Sequence, residues 1–187
     1  MTAFSFCGSF CTLSRSMGIM EELCRLGETV IPVMSERAAT TDTRFGKAED
    51  FRKRAEEISK NRLVLRVEEA ELFGPVTPLD YMIIAPCTGN TLAKIANGIT
   101  DSTVTMAAKA HLRCDRPLLI ALASNDAMSQ NLANIAKLLQ RKSVYFVPMR
   151  QDSPKGKPHS LVFDADLVIE AYRKMKLGEQ MRPLFLV

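Results

Sequence analysis

The chain has 187 residues, of which 47% are hydrophobic and 25% charged, with no tryptophan. This length amounts to one domain and allows burial of roughly 70% of the unfolded surface, so no disulfide or metal staple is required. The net charge of +4 is modest. Acids and bases alternate, as in KAEDFRKRAEEISK from Lys47 to Lys60, which describes a solvated helical face and not a nucleic-acid stripe.

In chain order, Ala3 to Cys7 reads as a first strand, followed by the turn Gly8-Ser9-Phe10 and a helix through Leu26. In that helix Leu13, Met17, Met20 and Cys24 share one face. Gly27 stops it, and Thr29 to Met34 form a second strand. Ser35 to Gly46 is too polar for either element, and a connection of about a dozen residues is long for an α/β unit, which makes it a functional suspect. A helix from Lys47 turns Ala48, Phe51, Ala55 and Ile58 inward, and Leu63 to Val67 offer a short third strand.

Residues 68 to 80, with Gly74-Pro75 and Pro78, form a turn-rich connection. Tyr81-Met82-Ile83-Ile84-Ala85 is an apolar run ended by Pro86, the pattern of a buried parallel strand. Beyond it Leu92, Ile95, Ala96 and Ile99 recur at helical spacing, so Pro86 to Thr91 sits where strand hands over to helix. Val104, Ala107, Ala108 and His111 line another helical face. Pro117 to Ala123 make the fifth strand, Met128 to Leu139 a helix, and Ser143 to Val147 the sixth strand. A polar stretch, Gln151 to His159, precedes a last helix that turns Leu167, Val168, Ala171 and Met175 inward.

This alternation, with six strands along the chain, predicts an α/β fold with a mainly parallel sheet and helices on both faces. Residues 1–187 form one domain, with 151–187 as a C-terminal extension ending in a helix. Five cysteines at irregular spacing give no disulfide framework, and Cys7-x3-Cys11 has no second pair to complete a zinc site. The expectation is packed, reduced thiols in a cytoplasmic protein: Met1–Phe4 has no charged leader pattern, and no apolar stretch reaches membrane-spanning length.

In parallel sheets ligands bind beyond the carboxyl ends of the strands. Four loops leave those ends here: Gly8–Thr12, Ser35–Gly46, Pro86–Thr91 and Ser124–Ala127, all rich in Ser, Thr, Asn or Gly. Neither GxGxxG nor GxxxxGK[ST] occurs, which disfavours a dinucleotide fingerprint and a P-loop. Gly8 permits close backbone approach, and Ser9, Ser35, Thr88 and Thr91 offer hydroxyls beside helix N-termini, each such contact with an anion contributing about 0.3–1 kcal/mol. A mononucleotide cofactor fits that set; the same residues also serve as helix caps and turn formers.

The segment PCTGNTLAKIA resembles the Pro-x-[Ser/Ala]-x-x-Thr-Leu-Ala-x-Ile-Ala segment of the flavoprotein superfamily that includes cysteine-type decarboxylases and flavin prenyltransferases. More closely, TTDTRFGKAED, APCTGNTLAKIANGITDS, MAAKAHLR and YFVPMRQD together resemble the family of dipicolinate synthase B subunits. The resemblance implies the flavoprotein fold, a three-layer α/β/α sandwich around a six-stranded parallel Rossmann-like sheet, together with a trimer-based homo-oligomer and FMN near a subunit interface. By position it implies FMN contacts from Gly8, Ser9 and Phe10, from Ser35 toward the phosphate, and from Pro86, Cys87, Thr88, Asn90 and Thr91. Ser124 and Asn125 stand where relatives carry an Arg-Glu pair or a Pro-x-Met-Asn clamp, neither of which occurs here.

The histidine that cysteine-type decarboxylases use after the third strand is also missing from RVEEAELFGPVTPLD, residues 66 to 80. His111 reads as a core residue, and His159 lies in a polar stretch. The implied activity is oxidation of dihydrodipicolinate to dipicolinate in the mother cell of a sporulating bacterium. NAD(P) would be held by the synthase's separate A subunit and not by this chain. Two carboxylates need cations, and Arg44 and Lys47 are the candidates; Lys109 is a third, on a solvated helix. Asp126 is the acid nearest the expected site but reads as a cap, and no residue is assigned as general base. Cys87, beside a helix N-terminus, could be an activated thiol, but no histidine is an obvious partner and packing is the preferred reading. Two alternatives stay open: a non-catalytic partner that binds a phosphate-containing ligand or stabilises the oxidoreductase subunit, and a divergent flavin-dependent decarboxylase.

Overall fold

In the computed structural model, which describes residues 1–74 and 76–187, five consecutive buried residues form β1 (Thr2–Phe6) inside the sheet. Pro75 of the expected turn-rich connection lies outside the described residues. Strands β2 (Val30–Met34), β1, β3 (Tyr81–Thr88) and β4 (Leu118–Ser124) pair in that order and all in parallel. The far edge of β4 is shared. β5 (Val144–Phe146) runs parallel to Leu118–Ile120, and β7 (Leu161–Phe163) runs antiparallel to Ala123–Ser124. β6 (Met149–Arg150) then pairs antiparallel with β7. The sheet is therefore mixed and seven-stranded, a correction to the expected six parallel strands.

The helices are α1 (Phe10–Arg25), α2 (Glu36–Thr40), α3 (Ala48–Ser59), α4 (Val67–Glu71), α5 (Gly89–Asn97), α6 (Thr103–Leu112), α7 (Leu132–Leu139) and α8 (Val168–Lys176). Side-chain alternation along β1 divides the interior. Ala3 and Cys7 face a layer with Ala70, Leu92, Val104 and Ile135, from α4 to α7. Phe4 and Phe6, their ring centroids 5.0 Å apart, face Leu13, Met17, Ala55 and Met175 of α1, α3 and α8. Cys24 and Ile58, expected inward, are half-buried at the margin of this second layer.

Three local expectations are corrected. Leu63–Val67 is not a strand: only Val64 bridges Val33, and Val67 already opens α4. Glu69 decides this, because its carboxylate accepts from the Arg66 backbone N–H at 3.4 Å and pairs with Arg62 at 2.8 Å, which fixes a helix start. The polar segment after β2 contains α2, started by Ser35, whose hydroxyl accepts from the Ala38 N–H at 3.4 Å. Third, Pro86 does not end β3. The register moves from Ile84–Ile120 to Cys87–Leu122, so the strand bulges where proline has no N–H to offer and continues to Thr88.

No helix among the described residues is long and apolar enough to cross a membrane. His111 is buried, and its Nε2–H donates to the Pro117 carbonyl at 2.8 Å. Burial lowers its pKa from the usual value, so between the two values the unfolded chain binds the extra proton. Stability is therefore fully present above pH ~6.5 and falls as pH drops below it. Melting temperatures measured between pH 7.5 and 5.5 are expected to decline less steeply for His111→Gln than for the wild type.

Candidate functional site

The carboxyl ends of β1 and β4 and the first turns of α1 and α5 surround one open cavity of about 560 Å³. From the expected cofactor set, Gly8, Ser9 and Phe10 line it after β1, Asn90 after β3, and Ser124 and Asn125 at and just beyond the end of β4. The first N–H groups of α1 and α5 have no partners within their helices, so both helices present donors at this end of the sheet. A volume in this range suits a ligand of mononucleotide size.

The other expected cofactor residues lie behind this wall. Pro86 and Cys87 are buried in β3. Thr88 caps α5, its Oγ1 accepting from the Thr91 N–H at 3.2 Å and donating to Thr91 Oγ1 at 3.1 Å. Thr91 in turn donates to the Cys7 sulfur at 3.4 Å. Burial pushes the Cys7 thiol up to about 11 and raises Cys87 as well, so both stay protonated and neither is an activated nucleophile. Ser35 is also buried as the cap of α2, yet its own hydroxyl proton has no acceptor among the described residues.

The long second loop reaches the cavity only at its tip. Asp42 Oδ1 accepts from the Ala48 N–H at 2.8 Å and anchors the loop to α3. Thr43 and Gly46 exchange two backbone hydrogen bonds of 3.1 Å, which projects Arg44 and Phe45 from a tight turn. Gly46 has φ +145, and a Cβ there would meet the Phe51 ring at 2.8 Å, so this turn requires glycine. Arg44 and Phe45 both line the cavity, with the guanidinium 4.9 Å from the Phe45 ring centroid. Lys47 is exposed at the start of α3 and is not on the cavity; Lys109 lines a different pocket between α5 and α6.

A cluster beneath the cavity joins three elements. Asp126 lines the cavity, and its Oδ1 accepts from the Ser124 hydroxyl and from Asn131 Nδ2, the latter at 3.0 Å. Asn131 is buried and accepts from Asn134 Nδ2 at 3.0 Å, which fixes the orientation of its amide. The Ser124 hydrogen bond, followed by that from Asn131, holds the Asp126 carboxyl below the usual range despite partial burial. Gly89 packs directly on this cluster, leaving no room for a Cβ.

Sequence reasoning missed the wall contributed by Asp152, Lys157 and Val162. Lys157 pairs with Asp152 at 2.8 Å, and the Ser160 hydroxyl donates to the other Asp152 oxygen at 2.7 Å. Lys157, then Ser160, hold that carboxyl below its usual range. The Met128 N–H donates to the His159 carbonyl at 2.9 Å, tying this loop to the one after β4. The short strands β6 and β7 flank the polar stretch and, by pairing with each other and with β4, return residues 151–160 to the end of β4. Neither His111 nor His159 lines the cavity.

A family model described as Flavoprotein matches residues 3–167. The B subunit of dipicolinate synthase from Bacillus subtilis (strain 168) is 38% identical over 181 residues, 97% of this chain and 90% of that protein. The crystal structure of the dipicolinate synthase B subunit from Bacillus halodurans superposes with a TM-score of 0.91 at 39% identity, covering 100% of this chain and 95% of that one. A more distant structure, AnUbiX (PadA1) in complex with FMN and dimethylallyl pyrophosphate, has a TM-score of 0.65 at 19% identity, with 79% of this chain and 76% of that chain covered, and shares the fold.

Proposed function

The chain belongs to the flavoprotein family, and from that premise we propose that it is the flavin-holding subunit of a dipicolinate synthase. One observation carries the reading. A single cavity joins the helix N-terminal turns at Ser9 and Asn90 to two cations, Arg44 and Lys157, that arrive on separate loops. The first feature suits a phosphorylated planar cofactor, and the second suits a small acid with two carboxylates.

FMN fits the residues present. Ser9 and the first turn of α1 would take the phosphate, with the buried Ser35 supporting the wall behind them as the cap of α2. Asn90, Ser124 and Asn125 would meet polar edges of the ring. When bound, FMN supplies a two-electron acceptor for the oxidation of a dihydropyridine. Arg44 and Lys157 would each hold one carboxylate of dihydrodipicolinate, and Phe45 would shield the ring from water. NAD(P) is assigned to the synthase's A subunit as partner, because this chain has neither dinucleotide fingerprint nor P-loop. A trimer-based homo-oligomer and a sporulation role in the cytoplasm of the mother cell, as the family resemblance implies, complete the proposal. The decarboxylase alternative has no histidine on the cavity to support it.

Absorbance titration of the purified chain with FMN is expected to give saturable binding; its absence would remove the flavin assignment. Mixing the chain with the NAD(P)-binding subunit, dihydrodipicolinate and NADP is expected to yield dipicolinate. No product would sink the synthase reading.

A further inference from the structure

Loss of two hydrogens from a dihydropyridine dicarboxylate divides into a hydride and a proton, so the cavity must also contain a proton acceptor. Two carboxylates line it, Asp126 and Asp152. Asp152 has both oxygens engaged, Oδ2 by Lys157 and Oδ1 by the Ser160 hydroxyl. Asp126 differs. Both of its side-chain donors, Ser124 and Asn131, converge on Oδ1, and Oδ2 accepts from no side chain among the described residues. Cys7 and Cys87 offer no equivalent, since both lie off the cavity, buried and protonated beneath its wall.

We propose that Asp126 is the general base of this site, accepting the ring proton on Oδ2 while Oδ1 stays anchored by Ser124 and Asn131. The inference rests on the proposed reading of the site as one that aromatises a dihydropyridine dicarboxylate. In the step, a C–H bond at an sp³ ring carbon breaks and its proton moves to Asp126. The electron pair left behind becomes the new ring π bond as hydride leaves the neighbouring carbon. That hydride, with its two electrons, passes to an acceptor of the flavin or nicotinamide class, which is reduced. Asp126 returns its proton to water afterwards. The anchoring has a chemical use: a carboxylate with one oxygen clamped presents the other at a fixed position, and fixed geometry is what proton transfer from carbon demands.

Asp126→Asn separates this role from a structural one, because the amide oxygen can still accept from Ser124 and Asn131. In the complex of this chain with its NAD(P)-binding partner, the variant is expected to lose about 10²–10⁴-fold in kcat. KM and the FMN affinity read by absorbance titration should stay unchanged. With substrate deuterated at the carbon that loses the proton, the isotope effect on kcat should rise in the variant, as proton transfer becomes limiting. An unchanged kcat, or a loss confined to KM or to flavin affinity, would overturn the proposal while leaving a wild type that forms dipicolinate as a synthase. A wild type that forms no dipicolinate would instead overturn the reading of the site, and the role of Asp126 with it.

Discussion

Gly89→Ala is expected to abolish FMN binding and to lower the melting temperature by roughly 5–10 °C, corresponding to about 2–4 kcal/mol in a chain of this size. A Cβ at Gly89 would lie 2.7 Å from Asn131 Nδ2 and 2.8 Å from Asp126 Oδ1, with the Ser124 hydroxyl closer still. None of these is the free end of a flexible side chain. Asn131 is buried and bonded to both Asp126 and Asn134, so pushing it aside breaks hydrogen bonds that nothing replaces. Displacing Ser124 and Asp126 also moves the loop after β4, one wall of the cavity. Two other glycines give controls. Gly18 lies exposed in α1 with nothing within 4 Å of a Cβ, so Gly18→Ala should stabilise by about 0.5–1 kcal/mol without touching flavin binding. Gly98 has equal space but a φ of +73, so Gly98→Ala should cost about 1 kcal/mol through backbone strain and again leave the cofactor site intact. Thermal unfolding and absorbance titration of the three variants would check the set; normal flavin binding by Gly89→Ala would contradict it.

The apolar runs within β2, β3 and β4 are readable because a strand buried on both faces favours a near-continuous hydrophobic sequence, while β1 shows the same character interrupted by Ser5. The two residues of β6, one of them Arg150, and the three of β7 are too short for such a signature and do not stand out from the polar stretch Gln151–His159 between them. Their brevity bears on the site. Only the antiparallel return brings Lys157 and Asp152 to the end of β4, so the linear sequence points to Lys47, near Arg44, as the second cation. Lys47 precedes α3 on the far side of the Asp42 anchor, whereas Arg44 sits at the tip of the turn. Pro86 illustrates a different limit. A proline usually ends a central strand, yet here a bulge absorbs it and moves the strand-to-helix junction forward to Thr88. The polar residues that meet the cavity are consequently Gly89 and Asn90, while Cys87, Thr88 and Thr91 form the layer that supports them. Polar character alone could not rank these residues, because helix caps and ligand donors draw on the same side chains.

Arg44→Ala is expected to raise KM for dihydrodipicolinate by about 10–100-fold, because a charge-assisted hydrogen bond to a carboxylate contributes about 1.5–3 kcal/mol. Arg44 has no carboxylate partner among the described residues, so its guanidinium is available to a ligand, and its contact with Phe45 holds it over the cavity. The side chain is exposed on a turn made by backbone hydrogen bonds, so the melting temperature should not change. Arg44→Lys should recover only part of the loss, since an ammonium keeps the charge but not the two-pronged geometry. Lys157→Ala should also raise KM, by a smaller factor, because that ammonium is already shared with Asp152. Lys47→Ala should have no effect on KM, since Lys47 is not on the cavity. If each cation holds a different carboxylate, the Arg44 and Lys157 effects should add in the double variant; a shared carboxylate would make them strongly non-additive. Steady-state kinetics on these variants, with a monocarboxylate analogue as a second substrate, would read this directly. The analogue should be insensitive to one of the two substitutions, and the cation concerned is the one facing the missing carboxylate. Unchanged kinetics in every variant would favour the non-catalytic alternative, in which this chain supports an oxidoreductase partner and never touches the acid it oxidises.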